Sequence, residues 1–511
     1  VFNKNKCLKV RKNIKYIMPP KKNNGLNTIL TIKKITPPAS VKPGMLLPKR
    51  KHPFIGVGTL SDDHGDSLLT SIGQNYRLKC ANTYFYPYNL FTNNLKYETR
   101  LNNKYQLIRI YKKNDRIFDH GHTCFSLIKK GHTYLKRKVF IKELPTIDYE
   151  SFIENIQEYR KNDVLFPNIS GDTIMKYIYS YDNPSYIDIL CHYLCSRVVE
   201  EGILPHFPLF YGLINTIFDK YTYTFTDRDD YQNFLNKHSL NDGYNDNLLK
   251  IINKDDKDKV EISNFPVYLM ATEVMDFDLD EFIENTNTAY KFNIGENFDV
   301  SGYENTVFSI LFQTIISLSY IQDEWNMVHN DLHIGNIMFK KTDQKYLNYS
   351  LRGIFYRVPT FGMIVKIIDW NRGTLTYKTI PIQNNVYKNT GECAEMYYFP
   401  TTVSSKKREI NVNPSFDLAI LAYEILDNDT IIDKKKSKLV KLLNELLTTD
   451  DGNNIYNLMG GKEEDPGFDL YKEIAKDCHK AVPSIILQKG VWNMYKVSKG
   501  TIPENEKIYT I

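Results

Sequence analysis

Val328-His329-Asn330-Asp331-Leu332-His333-Ile334-Gly335-Asn336-Ile337-Met338 is the stretch that decides how the rest of the chain reads. It sets an Asp and an Asn five residues apart, between an apolar helical run and a short apolar segment. Moving a phosphoryl group onto a hydroxyl asks for such a pair. A carboxylate orients the hydroxyl and takes its proton, and oxygen ligands hold the Mg²⁺ that neutralises charge on the transferring group. Asp331 is the candidate base, Asn336 a candidate metal ligand, and His329 the residue expected to brace the loop. His-x-Asp alone is common by chance. Followed by Leu-His-x-Gly-Asn and apolar residues, it is specific.

Working outward, Phe308, Leu311, Phe312, Ile315, Leu318 and Ile321 recur at helical spacing and predict a helix from Tyr303 to Trp325, a core stripe with no further role. Downstream, Val365-Lys366-Ile367-Ile368 reads as an apolar strand that delivers Asp369 at its end, the place for a principal Mg²⁺ ligand. Trp370 and Asn371 follow it; Asn is the non-Gly residue best suited to positive φ. Far upstream, Val139-Phe140-Ile141-Lys142 puts a lysine inside an apolar strand, which is costly unless it meets phosphate or a carboxylate. The helix predicted from Tyr186 to Glu201, closed by Gly202, should supply that carboxylate. Asp188 near its start is the choice over Glu200 and Glu201 at its end. Being one methylene shorter than Glu, Asp188 is expected to pair loosely.

Further strands are predicted at Gln106 to Tyr111, Thr123 to Lys129, Lys138 to Leu144 and Val267 to Met270. Strands first and helices later predict an α+β fold: a small β-rich lobe, then a larger, mainly helical one. Ordered structure is expected to begin near Tyr105.

The motifs together resemble the catalytic loop, metal motif and lysine strand of protein kinases. Within that fold the chain resembles the serine/threonine kinases of large nucleocytoplasmic DNA viruses, the poxvirus virion-assembly kinase and its giant-virus relatives. Leu204-Pro205-His206-Phe207-Pro208-Leu209-Phe210-Tyr211-Gly212, the 353–368 segment before Asp369, and Asn413-Pro414-Ser415-Phe416-Asp417-Leu418 carry this likeness. The resemblance covers roughly residues 105–430. It implies a two-lobed protein-kinase-like fold, with ATP and Mg²⁺ (or Mn²⁺) as cofactors, protein Ser/Thr substrates, and a place in infected cytoplasm or the virion. It also implies that Glu273 and Met275 flank adenine, that Gly121 belongs to the phosphate-covering flap, and that Asp417 braces the catalytic loop. There are departures. The flap, Phe118-Asp119-His120-Gly121-His122-Thr123, holds one glycine, and the metal motif reads Asp-Trp-Asn. Gly56-Val57-Gly58 lies too far upstream to serve as the flap.

His333 is shared with aminoglycoside- and choline-type small-molecule kinases, which form one competing reading; a pseudokinase scaffold is another. If His333 touches the γ-phosphate as a cation, the rate should fall as pH rises through the imidazole range. Thr374, Thr376 and Thr379 are candidate hydroxyls in the activation segment.

The bulk properties bound the rest. The net charge of +6 conceals an asymmetry: residues 1–61 hold 14 Lys or Arg and no acid, leaving 52 basic against 60 acidic groups in the remainder. Residues 1–60 therefore read as a basic, flexible arm, able to meet nucleic acid, an anionic membrane or an acidic protein. Residues 61–104 form an extension. The N-lobe is placed at 105–275, with an Asp/Asn/Lys-rich insertion at about 213–262, and the C-lobe with a helical C-terminal extension at 276–511. Seven scattered cysteines without a CxxC pair suit a reducing compartment. No stretch is long and apolar enough to span a membrane, and no signal-peptide core is visible. Met18 reads as a plausible start.

Overall fold

The computed structural model describes residues 31–32, 68–69, 71–72, 76, 78–83, 85, 101, 103–118, 121–154, 182–225, 228–254, 257–284, 300–377, 380–388, 391, 393, 396–397, 409–410, 412–428, 437–461 and 466–511. They fall into two units. One takes the described residues of Ile55–Tyr193 with Leu209–Val274; the other takes Leu194–Pro208 and Met275–Ile511 together with Thr31–Ile32.

The first unit is built on a seven-stranded antiparallel sheet. Its strands are β1 (Leu78–Asn82), β2 (Tyr105–Phe118), β3 (Gly121–Lys130), β4 (Thr133–Pro145), β5 (Phe210–Thr224), β6 (Leu249–Lys254) and β7 (Lys257–Glu273), in the order β1-β5-β7-β4-β3-β2 with β6 on β7. Alternation explains the central strands. Val139 and Ile141 of β4 turn into a core with Cys124, Ile128, Ile214, Val267 and Leu269, while the residues between them face the other way. The turn at Gly131 carries φ 56°, which glycine adopts without strain. Helix α1 (Pro184–Glu200) begins in this unit and ends at Gly202, whose φ of 72° closes the last turn.

Two expectations change here. Ordered structure starts before Tyr105, because β1 pairs with β5 from Leu78↔Phe218 to Asn82↔Asn215. Residues 213–262 are part of the sheet: they lengthen β5 and β7 and add β6 and helix α2 (Arg228–His238). Their Asp, Asn and Lys gather on α2 and the exposed turns around it, while Leu213–Phe218 of β5 are buried on both sides. Of the basic arm, only Thr31–Ile32 is described, pairing in parallel with Glu409–Ile410; the rest of that arm lies outside the described residues.

The second unit is organised by helix α3 (Val300–Trp325), whose Leu311, Phe312, Ile315, Leu318 and Ile321 are fully buried. After it come β8 (Ile337–Lys341), the hairpin β9 (Tyr346–Leu351) and β10 (Ile354–Pro359), β11 (Met363–Ile367), and helices α4 (Phe416–Asn428), α5 (Lys438–Leu446) and α6 (Asp469–Asp477). β8 pairs with β11 in register from Ile337↔Ile367 to Lys341↔Met363. The C-terminal extension is not purely helical. β12 (Lys496–Val497) joins β10, and β13 (Ile508–Thr510) runs parallel to β9, giving a four-stranded sheet. Arg357 of β10 clamps Glu506 with both guanidinium nitrogens at 2.8 and 2.9 Å. No helix among the described residues is long and apolar enough to cross a membrane.

Candidate active site

In the first unit, Lys142 stands at the centre of β4, opposite Gly121 of β3 and Met270 of β7. Its Nζ lies 2.8 Å from Asp188 Oδ2 on α1, and the Asp188 side chain is fully buried. His192, one turn further on, sits 3.4 Å from the other carboxylate oxygen. The loose pairing expected of the shorter acid is thus overturned. α1 runs close enough for Asp to reach, and Glu200 and Glu201 instead bind Arg197 at 2.6 and 2.8 Å.

Gly121 has a steric reason. A Cβ there would come within 2.3 Å of the Phe140 ring and 2.9 Å of the Ile141 carbonyl, so only glycine admits this approach. Asp119 and His120 lie outside the described residues. Glu273 closes β7: its N–H donates to Leu209 O at 2.8 Å and its carboxylate accepts the Leu209 N–H at 3.3 Å. Met275 follows as a half-buried residue that opens the second unit.

In the second unit, the 328–338 loop is pinned from several sides. Asp417, buried at the start of α4, accepts the His329 N–H at 3.0 Å and the Asn330 N–H at 2.8 Å. Burial pushes its carboxyl above the usual range, and His329 and the two N–H groups oppose that shift. His329 Nε2 reaches the Ile368 carbonyl at 2.7 Å, and its ring rests against Trp370 at 4.6 Å. Asn330 takes a positive φ of 64°, tied by Tyr397 Oη to its Oδ1 and by its own Nδ2 to Arg372 O at 3.1 Å.

Asp331 receives two donors on one oxygen. Arg372 Nη1 and Tyr471 Oη each lie 3.1 Å from Oδ1. Burial first, and then the charge of Asp331, hold the Tyr471 phenol well above its ordinary pKa, so the phenol is the donor. Asn336 Nδ2 donates to the Asp331 carbonyl at 2.8 Å, which turns its oxygen Oδ1 the other way, and Asn336 O accepts the Ile368 N–H at 3.2 Å. That last bond fixes Asn336 beside the backbone that leads into Asp369. Positive φ falls on Asp369 itself, at 63°, and not on Asn371 as expected. The turn is made two residues earlier, at the carboxylate.

His333 has a structural task of its own beside the catalytic carboxylate. Its Nδ1 accepts the Gly335 N–H at 3.1 Å and caps the short helical turn Ile334–Asn336. A nitrogen that accepts a backbone N–H carries no proton, so the neutral Nε2–H tautomer fits here. Thr374 is buried and exchanges two backbone bonds of 3.0 Å with Val328; Thr376 lies in the strand Leu375–Tyr377, and Thr379 is outside the described residues.

The donor set suits Mg²⁺. Asn336 Oδ1 and the Asp369 carboxylate are hard oxygens, and no cluster of three His, Cys, Asp or Glu forms among the described residues. A site of this kind leaves most positions to water and phosphate, as Mg²⁺ prefers. Tyr471 is the residue that sequence reading missed. It lies 140 positions beyond Asp331 in a segment without a motif. Arg372, three residues after Asp369, was visible as a neighbour of the metal motif but not as a partner of Asp331.

No family model matches the chain. A stretch of 70 residues, 14% of this chain, is 41% identical to mouse serine/threonine-protein kinase haspin and covers 9% of that protein. The haspin homolog of Drosophila melanogaster is 23% identical over 150 residues, 28% of this chain and 26% of its own length. A provisionally named serine/threonine-protein kinase of Acanthamoeba polyphaga mimivirus is 28% identical over 129 residues, 22% of this chain and 27% of the other. The matched stretches thus span about a quarter or less of these relatives. Among solved structures, ROP2 of Toxoplasma gondii, described as having a protein-kinase fold and no enzymatic activity, aligns over 84% of this chain and 94% of its own at 12% identity and a TM-score of 0.29. The ROP18 kinase domain aligns over 78% and 81% at 9% identity and a TM-score of 0.27. The fold is α+β, a β-rich unit and a mainly helical one, and stretches of the chain are distantly similar in sequence to serine/threonine-protein kinases.

Proposed function

We propose that the chain is an ATP- and Mg²⁺-dependent phosphotransferase acting on Ser and Thr hydroxyls of proteins, a kinase of the large-DNA-virus type that works in infected cytoplasm or the virion. The observation that carries this reading is the tethering of Asp331. Asn336 holds its carbonyl, Asp417 holds the two residues before it, and Arg372 and Tyr471 hold its Oδ1. A loop with no catalytic task gains little from so many fixed points on one carboxylate.

With Oδ1 engaged, Oδ2 of Asp331 is the oxygen that accepts the proton of the incoming hydroxyl. Asn336 Oδ1 and Asp369 would hold Mg²⁺, whose part is to neutralise charge on the phosphates. Lys142, oriented by Asp188, binds phosphate oxygens of ATP. Glu273 and Met275 flank the adenine, with Gly121 in the cover over the phosphates. His333 orders the loop through Gly335. The distant similarity to serine/threonine-protein kinases favours protein acceptors over amino-alcohols.

The test is Mg²⁺-dependent transfer of labelled γ-phosphate to acidic and basic protein substrates, with wild type run beside Asp331→Ala. Transfer by wild type alone supports the reading. If wild type binds ATP and transfers nothing to protein while phosphorylating aminoglycosides or choline, the small-molecule reading replaces it.

A further inference from the structure

The sheet face that carries Gly121 and Lys142 continues, along β3 and β4 away from those two residues, into a grid that the phosphotransfer chemistry does not use. Residues directly opposite each other on antiparallel strands share a face, as do every second residue along a strand. Register across β2, β3 and β4 therefore builds three rows: Gln106, Lys129 and Tyr134; Arg109, Leu127 and Lys136; and, on β3 and β4, Phe125 and Lys138. Tyr111, between Arg109 and Lys112, is the extra residue at a register shift and joins the same face, since both Arg109 and Lys136 lie over its ring at 5.6 and 5.8 Å. Lys138 lies over Phe125 at 6.0 Å.

Three rings on this face, Tyr111, Phe125 and Tyr134, are 46%, 50% and 51% exposed, and Arg109, Lys136 and Lys138 are exposed beside them. The one carboxylate among the described side chains of these strands, Glu143, is buried on the opposite face against His122 at 2.8 Å. An ordinary solvated sheet face mixes both signs of charge with Thr and Ser. Here cations and half-exposed aromatic rings alternate, with no acid among the described side chains of the grid. Like charges repel, and exposed ring surface is unfavourable unless something covers it.

We propose that this face binds single-stranded nucleic acid. A polyanion satisfies Arg109, Lys136 and Lys138, and flat bases cover the rings. Rows two residues apart are about 6.8 Å from one another, and strands about 4.8 Å. An extended strand of nucleotides can follow that lattice, placing phosphates by Lys and Arg and bases on Phe and Tyr. An anionic bilayer would match the charges, but it favours apolar residues gathered on one side of the cations, whereas here the two are interleaved. The inference does not depend on the phosphotransfer reading.

The experiment is fluorescence anisotropy of the full chain with labelled oligothymidylate between about 50 and 200 mM salt, with heparin and phosphatidylserine vesicles as polyanions that lack bases. The double variant Phe125→Ala/Tyr134→Ala should weaken oligonucleotide binding roughly 10-fold or more and leave heparin binding unchanged. Lys136→Ala/Lys138→Ala should flatten the slope of log K against log salt by about 1.4. Phe125→Leu/Tyr134→Leu, which keeps the apolar surface but not the rings, should behave like the Ala pair if stacking is the cause. The basic residues 1–61 are unchanged in every variant, so wild-type affinity in the ring variants would assign binding to that arm and overturn the proposal. Binding to vesicles without binding to the oligonucleotide would overturn it as well.

Discussion

Replacing Lys142 by Met would strand the carboxylate of Asp188. That side chain is fully buried, and its other close partner is His192 at 3.4 Å. Removing one member of a buried pair leaves an uncompensated charge and costs about 3–5 kcal/mol, most of it in desolvation of the survivor. Lys142 is 18% exposed and its stem can swing toward water, so the opposite change, Asp188→Asn, should cost less, about 1–2 kcal/mol. In a unit of roughly 200 residues each kcal/mol shifts Tm by about 2–4 °C. Lys142→Met should therefore lower the first thermal transition by roughly 6–20 °C, and Asp188→Asn by roughly 2–8 °C, less than half as much on the same scale. The double variant Lys142→Met/Asp188→Leu, which removes both charges and keeps the volume, should return close to wild type. Calorimetry with urea titration measures all three. Equal losses for the two single variants, or no recovery in the double variant, would refute the argument that the buried carboxylate sets the asymmetry.

Tyr471→Phe keeps the ring packed on Phe416 and Phe468 but removes one donor from Asp331, so kcat should fall roughly 5- to 10-fold with KM for ATP unchanged, measured by steady-state transfer. Asp369→Ala should abolish Mg²⁺-dependent nucleotide binding in calorimetric titration, and a chelator should do the same to wild type. His206 is buried between Tyr349 Oη at 2.8 Å and the Val365 carbonyl at 3.2 Å, and burial lowers its pKa from 6.5 to about 3. The unfolded chain then binds the extra proton between those values, so stability present above pH 6.5 is lost as pH falls, by about 1.4 kcal/mol per pH unit; His206→Gln should flatten that slope in urea titrations at pH 6.5 and 5. Glu506→Gln should loosen the clamp on Arg357 and destabilise the second unit by about 1 kcal/mol, with the change read from its unfolding midpoint.

What was legible in the sequence is what neighbouring residues constrain together. The 328–338 loop, the strand ending at Asp369 and the helix entered at Asp417 each announce themselves within about ten residues. The backbone bonds from His329 and Asn330 to Asp417 then join them as the spacing suggests. Lys142 was visible because an apolar strand has no local use for a charge. Tyr471, the edge strand at Leu78–Asn82 and the His122–Glu143 pair were not, since each is defined by a partner far away in the chain and by no local pattern. Residues 213–262 misled through composition: the Asp, Asn and Lys of α2 and its flanking turns dominate the count and hide the buried strand on which they are mounted. The cap that His333 makes for Gly335 was not legible either, because an imidazole beside a catalytic carboxylate draws attention to charge before backbone bonding.

The parallel pairing of β13 with β9 has a consequence for how the protein is made. A ribosome finishes Tyr346–Leu351 more than 150 residues before Ile508–Thr510 leave the exit tunnel. Throughout that interval the β9 edge of the hairpin stands open, with Ser350 O still waiting for the Ile511 N–H that lies 2.9 Å away in the finished fold. An open edge pairs with whatever strand is near. Nascent chains stalled or cut short before residue 508 should therefore associate through this hairpin, and slowing initiation, which spaces ribosomes apart, should raise the yield of soluble protein.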